Sequence, residues 1–135
     1  MHILEPKWKS WIIQTTTPLF TPEQCNQIIA SGRAQKPQVA QVGMNKPQGG
    51  TDTKKRITTI GWIPFKEMGH MYHDLYKFII KANENHFGFG DIQITENAQF
   101  TEYPEGGFYD WHMDCDVNMA HEPPVRKISM TLLLN

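Results

Sequence analysis

Residues 103–114 read YPEGGFYDWHMD, and residues 126–135 read RKISMTLLLN. The first stretch carries a Pro-Gly-Gly turn into an aromatic run that ends in His112 and Asp114. On an extended strand, side chains i and i+2 project from the same face. A strand over 108–114 therefore brings an imidazole and a carboxylate to one point. Such a pair supplies two of the three ligands of a 2-His-1-carboxylate triad, which leaves open positions on ferrous iron. The imidazole gives a neutral nitrogen, and the carboxylate partly neutralises the metal. The competing reading is a solvated strand or turn, since short His-x-Asp matches arise by chance.

Working outward, the residues beyond the motif predict an α+β domain. Residues 126–135 form an apolar strand suited to the inside of a sheet. Upstream, Ile92 to Tyr103 reads as another strand, joined to the motif by the turn at Pro104 to Gly107. Between Phe65 and His86, the residues Met68, Tyr72, Leu75, Ile79 and Ala82 recur at three- and four-residue intervals, the mark of one face of a long helix. Gly88 and Gly90 close it. Arg56 to Ile63 is a β-branched strand ended by Pro64. Thr21, Pro22 and Gln24 form a capping box ahead of a first helix that carries Ile28 and Ile29, with Gly32 as its stop. Residues 33–55 read as a long polar loop with a short strand near Val39 to Val42, and Trp8 to Gln14 as an initial strand. Helices early and antiparallel strands late give a single domain over 1–135 with helices on one side of a sheet.

Composition bounds the function. The net charge is -1, from 13 basic and 14 acidic residues, which argues against a dedicated nucleic-acid or anionic-membrane binder. No apolar run is long enough to span a bilayer. Cys25 and Cys115 are too few for a disulfide framework, and the reducing cytoplasm is the expected compartment.

The string TEYPEGGFYDWHMD, followed by RKISMTLLLN, resembles the prolyl 4-hydroxylase-type branch of the iron(II)/2-oxoglutarate dioxygenases, and within it the bacterial and phage PKHD-type hydroxylases. The resemblance is firm over residues 92–135. TPEQCNQII is similar to the opening helix such proteins carry. The resemblance implies a double-stranded β-helix, or jelly roll, backed by helices. It implies iron bound by His112 and Asp114, 2-oxoglutarate in a pocket lined by Tyr103, and ascorbate as a further candidate cofactor. Arg126, Lys127 and Ser129 match the start of the next core strand. The implied reaction is hydroxylation of a C–H bond in a peptide or protein. Peptidyl proline comes first by family, with a free amino acid or another side chain still open.

The family's second His ligand, and the Arg or Lys that anchors 2-oxoglutarate, have no counterpart among these 135 residues. His121 lies in a polar loop and is not assigned as the third ligand. The expectation is therefore a domain incomplete at its C-terminus, with weak iron binding and poor turnover. Two alternatives stand beside it. One is a non-catalytic metal- or ligand-binding jelly-roll domain, or an inactive fragment. The other is a scaffold half that self-associates or pairs with another chain through its C-terminal strand.

Other chemistry-bearing residues have plainer explanations. His70 and His73 are expected on an exposed helix surface and His86 at the helix end. Cys25 is expected in the core on the first helix, and Cys115 is expected to be a quiet buried thiol. Trp8, Trp11, Trp62 and Trp111 are expected to pack in the core or at its edge. Strand alternation places Tyr109 and Trp111 on the face opposite His112. Asp116 and Glu122, and the basic run Arg33, Lys36, Lys46, Lys54, Lys55 and Arg56, are expected to be solvated.

Overall fold

The computed structural model describes residues 10–39, 56–112, 114 and 126–135. Its elements are α1 (Pro22–Ala34), β1 (Gln38–Val39), β2 (Arg56–Ile57), β3 (Thr59–Ile63), α2 (Gly69–Ala82), β4 (Ala98–Glu102) and β5 (Phe108–Tyr109), with a π-helical turn, Asn83–Phe87, extending α2. The architecture is α+β. One antiparallel sheet has the order β1-β3-β4, and a second consists of β2 and β5. β3 and β4 pair along their full length, from Thr59 opposite Glu102 to Ile63 opposite Ala98.

Helix α1 starts as its sequence dictates. The Thr21 hydroxyl accepts from Gln24 N–H, and the Gln24 side chain accepts from Thr21 N–H, so two otherwise orphaned donors are satisfied. The helix does not stop at Gly32. It runs to Ala34 and ends where Gln35 turns extended and donates to the Gly32 carbonyl. Gly32 has a different purpose: a Cβ there would lie 2.2 Å from Phe100 Cγ, so α1 can sit on β4 only with glycine at the crossing.

Ile28 from α1, Ile63 from β3, and Met71, Tyr72 and Leu75 from α2 form the core with Phe20 and Met68. Cys25, Ile94, Ala98, Phe100, Leu132 and Leu134 pack against it half-buried. The Tyr72 hydroxyl, buried among them, donates to the Ile63 carbonyl and accepts from Ala98 N–H at 2.6 Å. It thereby bridges the last opposed pair of the β3–β4 ladder.

Several expected elements are shorter or absent, for stated reasons. The helix begins at Gly69 rather than Phe65, because Glu67 N–H closes a turn onto the Pro64 carbonyl. At its far end the backbone widens into the π turn and Gly88 closes it at φ 70°, as its position anticipates. Of Ile92 to Tyr103, only 98–102 is strand: β3 has five residues before Pro64, so it offers no further partner. Of Phe108 to Asp114, only the first two among the described residues pair, against the two residues of β2. Residues 126–135 make no ladder among the described residues. They keep an inside-outside alternation, with Leu132 and Leu134 on the core and Leu133 80% exposed. Residues 10–14 are irregular, with Trp11 87% exposed. Trp62 is partly exposed, compatible with an edge position, whereas Trp111 is wholly exposed, so Trp11 and Trp111 correct the expectation of a place in the core or at its edge. Trp8, Cys115 and residues 40–42 lie outside the described residues. No helix among those described is long and apolar enough to cross a membrane.

Candidate functional site

The site is built from the turn upward. Gly107 N–H bonds the Pro104 carbonyl at 2.7 Å, and Gly106 adopts φ 75°, a conformation that favours glycine. A Cβ on Gly107 would lie 2.7 Å from Pro104 Cδ and 3.0 Å from the Ile57 carbonyl oxygen. The turn thus needs both glycines, one for its conformation and one for its closeness to β2. It delivers Tyr109 opposite Arg56.

After Tyr109 the chain turns instead of continuing extended. The Asp110 carboxylate accepts from Trp111 N–H at 2.8 Å, a self-bond that favours a turn. His112 Nδ1 donates to the Asp110 carbonyl, also at 2.8 Å. These bonds fold the His112 ring back onto Tyr109, with centroids 3.6 Å apart and planes within 13°. Strand alternation put Tyr109 on the far face from His112. The turn at 110–111 overrides it and throws Trp111 fully into solvent.

His112 Nε2 lies 3.1 Å from Asp114 Oδ1. The two groups meet, through a turn rather than through a strand face. Asp114 is itself held: its backbone carbonyl accepts from Arg126 Nη1 at 2.7 Å, and Arg126 Nη2 donates to Glu96 Oε2 at 2.6 Å. Its carboxyl titrates below the ordinary range, chiefly because Ser129 hydrogen-bonds it. The nearby charges of His112 and Arg126 add to this, and partial burial opposes it.

The donor set carries a chemical argument. A carbonyl and a carboxylate only accept, whereas a neutral imidazole has one N–H. His112 has the Asp110 carbonyl at Nδ1 and the Asp114 carboxylate at Nε2, so a neutral ring satisfies one of them. The second contact calls for another proton or for a cation between Nε2 and Oδ1. Two adjacent ligands each about 2.1 Å from a metal, at right angles, stand about 3.0 Å apart. The observed spacing of 3.1 Å fits that requirement. The bond from Nδ1 to a backbone carbonyl is also the usual way a protein fixes the tautomer of a metal-binding histidine. Both side chains are partly exposed, so a metal can reach them.

Tyr103 stands one residue past β4 and is 51% exposed. His70 and His73 are exposed on α2, away from any metal-ligating cluster among the described residues. In the same residues no group of three or more His, Cys, Asp or Glu side chains is arranged to hold a metal, so His112 and Asp114 stand as a pair. Cys115, Asp116, His121, Glu122, Lys46, Lys54 and Lys55 lie outside the described residues. Arg33 belongs to α1, not to a loop, and pairs with Glu102 at 2.7 Å. Sequence reasoning left Arg126 and Ser129 without a role and passed over Glu96. The place of the first two at the start of the segment after the motif is the available signal, and Glu96 has none. The chain matches no family model, no curated protein and no solved structure.

Proposed function

We propose that the protein is an iron(II)- and 2-oxoglutarate-dependent dioxygenase of the prolyl 4-hydroxylase type, acting on a peptide or protein substrate. The observation that supports this reading is the pairing of His112 Nε2 with Asp114 Oδ1 at 3.1 Å, with Nδ1 already committed to a backbone carbonyl. The resemblance of residues 92–135 to that family supports it from the sequence side. In this reading His112 and Asp114 hold the iron, Tyr103 lines the 2-oxoglutarate pocket, and the two small sheets belong to a double-stranded β-helix. A reducing cytoplasm is the matching compartment.

Ferrous iron with 2-oxoglutarate and dioxygen supplies hydroxylation of an unactivated C–H bond. The chain's own residues do simpler things. His112 would offer Nε2 to the metal, with Nδ1 donating to the Asp110 carbonyl. Asp114 has its carboxyl held low chiefly by the Ser129 hydrogen bond, with the charge of Arg126 adding to it, and so offers an anionic oxygen. Arg126 is engaged by Asp114 and Glu96, so it is not assigned as the 2-oxoglutarate anchor.

The test is iron-dependent decarboxylation of 2-oxoglutarate, with and without proline-containing peptides, alongside metal-binding titrations. The reading expects saturable metal binding and turnover, slow but measurable, both lost in His112→Ala. Metal binding without turnover favours the non-catalytic metal-binding alternative. Neither binding nor turnover removes the proposal.

A further inference from the structure

We propose that Tyr109 is a positioning residue that sets the plane of the His112 ring, so that Nε2 is presented to Asp114; the inference rests on the reading of His112 and Asp114 as metal ligands. The rings lie 3.6 Å apart, centre to centre, and within 13° of parallel. A histidine side chain turns about two torsions. The Asp110 carbonyl at Nδ1 restrains one edge of the ring and leaves it free to swing about that bond. A flat aromatic face against the imidazole removes the remaining freedom. Nε2 then has one direction, toward Asp114 Oδ1.

Position and exposure make this restraint necessary. The His112 side chain is 37% exposed, so packing by the core does not hold it. Tyr109 is anchored where His112 is not: it sits in β5, paired opposite Arg56 of β2, and is half-buried. The strand thus lends rigidity to a ligand that lies beyond its end. Groups hydrogen-bonded to a metal ligand commonly change metal affinity by about 10–100-fold, and a ring that fixes the orientation of the same ligand is expected to act at the lower end of that range.

The experiment uses the full chain with cobalt(II) as the probe, in three forms: the parent, Tyr109→Phe and Tyr109→Leu. Phenylalanine keeps the aromatic face, and leucine keeps bulk and strand pairing without it. Cobalt affinity is read by visible absorption. In the metal-free proteins, NMR reads the cross-peaks between the His112 ring and the Asp114 side chain. The expected result is affinity within about twofold of the parent for Tyr109→Phe, and a loss of about tenfold or more for Tyr109→Leu. The cross-peaks should persist in the first variant and vanish in the second. Parent-like affinity, or retained cross-peaks, in Tyr109→Leu overturns the proposal. A parent chain that binds no cobalt overturns the reading of the site as a metal centre, and the metal-free cross-peaks then still decide whether Tyr109 orients the ring.

Discussion

Arg126 reaches across the chain to Asp114 and donates to its backbone carbonyl at 2.7 Å, while its other nitrogen holds Glu96 at 2.6 Å. One guanidinium thereby fixes the backbone of a candidate ligand to the segment that leads into β4. Ser129, three residues on, binds the carboxyl of the same aspartate. Replacing Arg126 with Ala, or Ser129 with Ala, should weaken metal binding by about tenfold. Unfolding free energy should change by no more than about 1 kcal/mol, because these bonds are substantially exposed. Calorimetric metal titration and urea melts check both halves.

Gly32 gives a prediction in which two effects oppose. In an open helix interior, alanine is favoured over glycine by about 1 kcal/mol. Here the added Cβ would meet the Phe100 ring at 2.2 Å. Overpacking of that kind costs about 1–3 kcal/mol, so Gly32→Ala should destabilise the fold. Combining it with Phe100→Leu should recover part of the loss, since the two sites are in contact and their effects should not add. Thermal melts of the single and double variants supply the cycle.

Tyr72 predicts an alkaline dependence of stability. Burial raises its hydroxyl above the ordinary value of 10.0, only partly offset by the bond from Ala98 N–H. With the folded value above the unfolded one, the unfolded chain gives up the proton first. Stability is therefore fully present below about 10 and declines as pH rises through the raised folded value. Tyr72→Phe should remove this residue's share of the decline. It should also cost about 1–3 kcal/mol at neutral pH, because the Ala98 N–H and the Ile63 carbonyl lose their shared partner. Denaturant melts at neutral and alkaline pH compare the two proteins.

What the sequence disclosed follows the range over which each feature is determined. The capping box at Thr21 and Gln24, and the apolar face of Tyr72 and Leu75, are written in residues three and four apart, and both stand in the structure. Strand lengths are set by partners distant in sequence. β4 begins only at Ala98, opposite Ile63, because β3 runs out at Pro64, and nothing within residues 92–103 announces that limit. Trp11 and Trp111 depart from a place in the core or at its edge because residue type alone argued for it, and both are exposed. At the site, the alternation of a strand placed Tyr109 and His112 apart. A turn closed by Asp110 stacks them instead, and the signal was the aspartate itself, a residue that bonds its own backbone neighbours.

The most direct measurement is anaerobic titration of the parent chain, His112→Ala and Asp114→Ala with ferrous iron, read by calorimetry. The account predicts one saturable site in the parent, with affinity lower by at least about tenfold in each variant and no greater loss of folding than the parent shows. Binding that is unchanged in both variants, or no binding by a folded parent, would contradict it.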